Sequence, residues 1–395
     1  MKIITTVGTS IFGNCLKSGE DIKTKTDHLD NKGYSDWDNC KNEIDKLRTK
    51  INSWANGKNT ASAEIASLLK IQEELNDCVE VYLICSETIL SRLAAECIQK
   101  WFEGNENFDV KEAKIVVGLQ VKDRKKFERF GIIKLIDCVS DIAQEGNYWD
   151  DCIINVTGGY KATIPILSVI AQIKNRPIRY IFDESESDHY QLLSLSQFPI
   201  SIDWQILFKF SNNFQELHNG VLDSLEEYKI KNNLPEEFNN YIHEIIEGNE
   251  SLLGLNGVGY FLSKELENHF FIKVPLGCSI FLEEVTKKKN VELAIKELFR
   301  KLSNLSEPFI NLHDVNIKHT SINKTWVYKH TQPQIRLQYE WQESTKILTI
   351  FNYRFINSDI DDKDPKRGYK PIFENLYSNL KDQEQIIIGF KKYEN

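Results

Sequence analysis

The chain has 395 residues, with 49 Lys and Arg against 58 Asp and Glu, eight cysteines and a single methionine. That length suggests two or three domains, each able to bury a core; 41% hydrophobic residues exclude wholesale disorder, and 27% charged residues with no apolar run near about 18 exclude a membrane span. The net charge of −9 argues against nucleic acid for the chain as a whole, yet Phe281 to Asn395 holds 19 basic against 16 acidic residues, so this stretch is +3 and the first 280 residues are −12.

The N-terminus, Met1-Lys-Ile-Ile-Thr-Thr-Val-Gly8, reads directly into a strand and has no signal-peptide pattern, so a cytoplasmic protein is expected. The cysteines lack the paired short spacings of a zinc knuckle and read as thiols in a reducing compartment. Over the first 200 residues, β-rich apolar runs alternate with amphipathic stretches, the pattern of a parallel α/β sheet. Strands are predicted at Lys2–Val7, Val79–Cys85, Ala113–Leu119, Cys152–Val156 and Ile178–Phe182, and helices at Ala61–Leu75, Thr88–Phe102, Asp123–Gln144 and Ala162–Ile173. Lys17–Lys58, polar throughout, reads as a surface insertion, a lid or a decoration. Tyr190–Ile202 adds a final antiparallel strand.

After Asp203 the rhythm turns helical, with long amphipathic helices predicted at Gln205–Lys231 and Glu236–Glu247. A Gly-punctuated stretch, Ser251–Leu262, leads into a helix at Ser263–His269 and an apolar segment at Phe270–Val274; Leu252–Phe261 is the predicted hinge. The expected layout is therefore α/β: a Rossmann-like parallel sheet over 1–202, a helical or winged-helix-like middle unit over 203–284, and an α+β unit over 285–395. The last consists of a helix, Val291–Leu302, and an antiparallel meander at Lys324–His330, Gln334–Trp341 and Lys346–Phe355. Ile386–Phe390 reads equally as a last strand or a docking tail.

Two loops follow strands at their carboxyl ends, where open parallel sheets bind ligands. They are Val7-Gly8-Thr9-Ser10 and Asn155-Val156-Thr157-Gly158-Gly159-Tyr160-Lys161. Paired glycines let the backbone approach a phosphate closely, and Lys161 at a helix start favours an anion. Thr157, Thr9 and Ser10 supply hydroxyls, and Ser86, after the second strand, completes the rim. Neither loop has the spacing of a nucleoside triphosphate loop or a dinucleotide fingerprint.

These two motifs resemble those of the CRISPR-associated Rossmann-fold (CARF) sensor domains of type III CRISPR defence, over about Met1–Ile202. The resemblance implies a homodimer that binds a cyclic oligoadenylate, most often cyclic tetraadenylate, across its two-fold axis as an allosteric activator. A two-fold ring suits an isologous interface. Carried over, Gly8, Thr9 and Ser10 form one ligand loop and Thr157, Gly158, Gly159 and Lys161 the other.

Such sensors carry effectors. None of the arginines after Asp203 has a histidine four to six residues on, which removes a HEPN ribonuclease, and Glu340 and Glu343 lack the lysine that a metal-dependent PD-(D/E)xK nuclease needs. The basic and aromatic meander, with Lys329 before Arg336-Leu-Gln-Tyr339 and a following strand ending in Arg354, resembles the RelE family of mRNA interferases over about Val291–Tyr377. That implies cleavage of mRNA in the ribosomal A site by 2′-OH attack, with no metal or cofactor. Lys and Arg would stabilise the charge on pentacoordinate phosphorus. Arg336 and Arg354 would hold the phosphate, Lys329 assist or act as base, and Tyr369 act as acid or stack on a base. His319 and His330 stand in reserve, and Trp326, Tyr328 and Tyr353 are candidate stacking platforms. Partners would be cyclic oligoadenylate and ribosome-bound mRNA, with no membrane. The alternatives are a ligand-sensing transcription regulator and a metal-dependent CARF-linked nuclease.

Overall fold

The computed structural model describes residues 1–30, 32–119, 124–144, 148–183, 190–196, 198, 200, 202–247, 250–278, 289–303, 317–319, 325–330, 334–342, 344–355, 373, 377 and 379–391. They fall into two compact units: Met1–Ile202 with Glu216–Phe261, and Asp203–Gln215 with Leu262–Asn395. The span 203–284, read from the sequence as a middle unit, is thus shared between the two. Among the described residues no helix is long and apolar enough to cross a membrane.

The first unit is built on β1 (Lys2–Thr6), β2 (Val79–Ser86), β3 (Phe108–Val110), β4 (Lys114–Val116), β5 (Cys152–Asn155), β6 (Ile178–Asp183) and β7 (Tyr190–Ser194). The strand order is β3-β2-β1-β5-β6-β7, with β4 continuing the edge beside β2; all pairs are parallel except β6–β7. β1, β2 and β5 are buried almost end to end, because helices cover both faces, and so they read as unbroken apolar runs. β1 lies between β2 and β5, the position at which the strand order reverses. The chain leaves β1 and β5 in opposite directions there, which opens a crevice at their carboxyl ends.

The polar stretch Lys17–Lys58 is no decoration. It forms the helices Lys23–Leu29 and Lys41–Ala55. Ile22, Leu29, Ile44, Leu47, Ile51 and Ala55 are buried in the same core as Ile3, Val81 and Leu93. Ile44, Leu47, Ile51 and Ala55 recur at helical spacing on an otherwise charged helix, enough for one buried stripe. Across it, Arg48 pairs with Glu96 at 2.8 Å, and Trp101 Nε1 donates to the Ala55 carbonyl at 3.0 Å.

A small antiparallel sheet completes this unit: β8 (Val221–Leu222), β9 (Ile242–Glu247) and β10 (Glu250–Leu255), in the order β8-β10-β9. Here two sequence expectations fail. Gln205–Lys231 is broken into helices Trp204–Lys209, Ser211–Asn219 and Leu225–Asn232 with β8 between the last two, and the second half of Glu236–Glu247 is a strand. Phe238, Tyr241, Ile242 and Ile245 do recur at helical spacing, but six-residue pairing with β10 outweighs that weak local signal. The expected hinge is regular structure, β10 followed by the helix Gly257–Asn268. Its glycines serve packing: a Cβ on Gly259 would stand 2.2 Å from the Tyr241 carbonyl oxygen, and one on Gly257 2.4 Å from Ile132 Cγ2.

The second unit holds β11 (His269–Pro275), β12 (Ile317–His319), β13 (Trp326–His330), β14 (Ile335–Gln342), β15 (Ile347–Phe355) and β16 (Gln385–Lys391), in the order β12-β13-β14-β15-β11-β16. β13, β14 and β15 form the antiparallel meander; β11 lies parallel to β15 and antiparallel to β16. Phe270–Val274, assigned from the sequence to a middle unit, is thus a strand of this sheet, and Ile386–Phe390 is its edge rather than a tail. The helix Lys289–Ser303 covers one face through Val291, Ala294, Ile295, Leu298 and Leu302, packed on Tyr328, Leu337, Tyr339 and Ile350. Trp204 lies against His269, with ring centroids 4.5 Å apart, and Gly389 lets it close: a Cβ there would be 2.8 Å from the indole.

Candidate functional site

The two glycine loops meet at the crevice beside β1, but most of their donors are spent inside the protein. Glu64, in the first turn of the helix Ala63–Leu75, is 1% exposed. Its Oε1 accepts from the Gly8 amide at 2.8 Å and its Oε2 from the Ser10 hydroxyl at 2.7 Å. Gly158 and Gly159 are pressed onto the same group and the end of β1. A Cβ on Gly158 would stand 2.1 Å from Glu64 Oε1 and 2.6 Å from the Thr6 carbonyl oxygen; Gly159 has φ +83°, and its Cβ would be 2.9 Å from Thr6 Cβ. Thr6 Oγ1 donates to the Gly158 carbonyl at 2.6 Å. The glycines are needed for loop-on-loop packing.

Thr157 is engaged in the same way. Its hydroxyl donates to Asn155 Oδ1 at 2.6 Å and accepts from the Ile181 amide at 3.0 Å, while Asn155 Nδ2 donates to Ser67 Oγ at 2.8 Å. Asn155 is fully buried, so this network anchors the loop to β6 and to the helix Ala63–Leu75. The hydroxyls of Ser10 and Thr157, expected as ligand donors, both donate within the protein, to Glu64 and Asn155.

What remains open to a ligand is a cavity of about 430 Å³ lined by Gly8, Thr9, Ser86, Thr88, Gly159 and Tyr160, with Asp30 on its rim. Ser86 and Thr88 hydroxyls lie 3.0 Å apart. Burial pushes the Tyr160 phenol above its ordinary range, the hydrogen bond with Ser86 pulls the other way, and the Asp30 and Glu87 charges add to the rise. Tyr160 thus stays protonated near neutrality. Asp30 comes from the Lys17–Lys58 stretch, which therefore supplies part of the wall. Thr9 is exposed at the mouth, and Lys161 is exposed in the 3-10 turn Lys161–Thr163, ahead of the helix Ile164–Ile173. Val7 and Leu90 also line the cavity, so it combines apolar surface with hydroxyls and one carboxylate, groups that can bond to ribose hydroxyls and exocyclic amines.

In the second unit, the register of β13, β14 and β15 puts three sequence-predicted residues in one line. Lys329 is directly opposite Arg336, and Arg336 directly opposite Arg354. All three are half-buried. Adjacent strands are ~4.8 Å apart, so the row spans about 10 Å and its long side chains can converge on one phosphate. Tyr369 lies outside the described residues. His330 sits on the other face, with Nε2 3.0 Å from Glu297 Oε2 of the packing helix, which removes it from the row. For His319 only the strand is described. Tyr328 is buried in the core, and Trp326 and Tyr353 pack against that core, so Tyr328 is not a stacking platform.

Further along the Arg336 face, a pair invisible in the sequence appears. Tyr377 Oη donates to Glu340 Oε1 at 2.7 Å, and burial, with that carboxylate second, pushes the phenol up to about 12. Glu340 follows Arg336 at a spacing of four on one strand, the period that returns a side chain to the same face. Glu64 and Asp30 were equally hidden: a glutamate in a helix's first turn reads as a surface residue favoured by the helix dipole.

Residues 59–188, about one third of the chain, match a family model described as CRISPR-associated protein (Cas_APE2256). The match covers β2 to β6 and the second glycine loop, and ties this part of the chain to CRISPR-associated proteins. No curated protein matches the chain.

Proposed function

We propose that the protein is a cyclic-oligoadenylate-activated, ribosome-dependent mRNA endoribonuclease of type III CRISPR defence. In this reading two copies of the N-terminal unit bind one ring, each offering the cavity beside Gly8 and Lys161, and the ring favours the state in which the C-terminal sheet is competent. The observation that carries the nuclease half is the Lys329–Arg336–Arg354 row. Attack of a ribose 2′-OH on the adjacent phosphate builds negative charge on the equatorial oxygens. Two guanidiniums and an ammonium on one sheet face stabilise that charge where it forms, and need no metal ion to do so. The family match over residues 59–188 supports the CRISPR half.

The test is cleavage of mRNA on translating ribosomes at constant Mg²⁺, with and without cyclic tetraadenylate. The reading expects A-site cuts only with the ring, upstream fragments ending in a 2′,3′-cyclic phosphate or a 3′-phosphate, and a loss of about a hundredfold or more in Arg336→Ala with ring binding intact. Lys161→Ala should do the reverse and raise the ring concentration needed. Upstream fragments ending in a 3′-hydroxyl, or an equal effect of both variants on ring binding, overturn it. A DNA-binding regulator is the second reading, favoured by the strand, helix and hairpin succession from Val221 to Leu255; it expects duplex binding and no cleavage.

A further inference from the structure

One group of side chains in the first unit belongs to neither site. A cavity of about 400 Å³ lies between the helical segment around Arg129 to Asp137 and the sheet of β8 and β10. The segment enters it through a π-helical turn, Phe127–Gly131, that runs into the helix Ile132–Gln144. Such turns occur mostly as single insertions in α-helices, frequently at functional sites. Arg129 and Lys134, five residues apart, both line the cavity. Phe130 is 46% exposed, and the Arg129 guanidinium lies 5.1 Å from its ring centroid.

The facing wall is aromatic and fixed. His218 stacks on Tyr260, with centroids 5.2 Å apart and planes at 25°. Tyr260 Oη lies 2.9 Å from Asp137 Oδ1 and 3.1 Å from Oδ2, which holds the ring in place and engages the one carboxylate on the lining among the described residues. Leu253, fully buried, lies on the lining as well. His243 completes it; burial first and the Arg129 charge second lower its pKa, so it presents a neutral imidazole.

Two cations, planar rings on opposite walls and an apolar residue form a combination with a defined complement. Rings stack on a planar base, guanidinium and ammonium bind a phosphate, and the volume is that of a small-molecule site. The geometry points to a nucleotide site here, separate from the cavity beside Gly8: a nucleoside monophosphate with its phosphate on Arg129 and Lys134 and its base against Phe130 and the His218–Tyr260 pair. The inference does not depend on the nuclease reading, since every residue involved lies in the first unit.

Isothermal titration of the full chain with AMP, GMP, CMP and UMP, and with inorganic phosphate and adenosine as part-ligands, tests it. The expected result is saturable binding of at least one nucleotide, one per chain, about tenfold or more tighter than either part-ligand. Arg129→Gln should weaken nucleotide and phosphate but not adenosine; Phe130→Ala and His218→Ala should weaken nucleotide and adenosine but not phosphate. His218 and Phe130 are exposed, so both variants should keep the wild-type circular dichroism spectrum. Cyclic tetraadenylate binding should be unchanged in all three. Absence of saturable binding by every nucleotide overturns the site, as does nucleotide binding that falls in Lys161→Ala and is untouched in Arg129→Gln.

Discussion

Replacing Glu64 by alanine tests the account of the glycine loops most directly. The carboxylate takes the Gly8 amide at 2.8 Å and the Ser10 hydroxyl at 2.7 Å, in a place where Glu64 is almost wholly buried. Hydrogen bonds to a charged acceptor contribute ~1.5–3 kcal/mol each. Two of them, less the relief of no longer burying a carboxylate, give a loss of about 3 kcal/mol for Glu64→Ala. For a unit of this size that is a fall of roughly 6–12 °C in Tm. Glu64→Gln keeps one oxygen for Gly8 and presents an NH₂ group that can donate to the Ser10 hydroxyl, so about 1 kcal/mol is expected. Urea and thermal unfolding followed by circular dichroism measure both. Ser10→Ala separates packing from ligand contact: it should cost about 1–2 kcal/mol of stability, with cyclic tetraadenylate affinity falling less than tenfold. The reasoning is refuted if Glu64→Ala unfolds with wild-type stability, if the glutamine variant costs as much as the alanine, or if Ser10→Ala loses ligand and not stability.

Two further outcomes follow from the same geometry. Gly158→Ala should prevent the N-terminal unit from folding stably, with a loss above about 3 kcal/mol in urea unfolding, because the added methyl would stand 2.1 Å from Glu64 Oε1 and 2.6 Å from backbone; a stable Gly158→Ala protein would mean that the loop is loosely held. Burial pushes the Cys85 and Cys97 thiols from 9.0 up to about 12. Between those values the unfolded chain loses protons that the folded one keeps, so this contribution to stability is intact below about pH 9 and is lost as pH rises towards 12. Unfolding at pH 8 and pH 10 in wild type and in Cys85→Ala should show a smaller pH dependence in the variant, and an equal one would contradict the assignment.

Much of this was written in the sequence, for identifiable reasons. β1, β2 and β5 are covered on both faces and so consist of apolar runs that need no partner to be recognised. The row in the second unit was legible because Lys329, Arg336 and Arg354 are set by the register of a meander with short connections. Lys41–Ala55 was missed because a stripe of Ile44, Leu47, Ile51 and Ala55 is diluted by the charges around it. β9 was missed because Ile242–Glu247 is helical in period and a strand only through β10. The roles of Glu64, Asn155 and Thr157 rest on contacts between segments well apart in sequence: Glu64 with Gly8 56 residues away, Thr157 with Ile181 24 away, and Asn155 with Ser67 88 away. No local pattern encodes those, and a hydroxyl beside a glycine looks the same whether it faces a ligand or a buried carboxylate.

The line of three cations across β13, β14 and β15 has a consequence for how the sheet tolerates change. Like charges directly opposite one another oppose strand pairing, so this row works against the sheet that carries it. Neutral residues at Arg336 or Arg354 would relieve that part of the repulsion, so each such substitution is expected to favour the pairing of these strands while it removes a charge from the row.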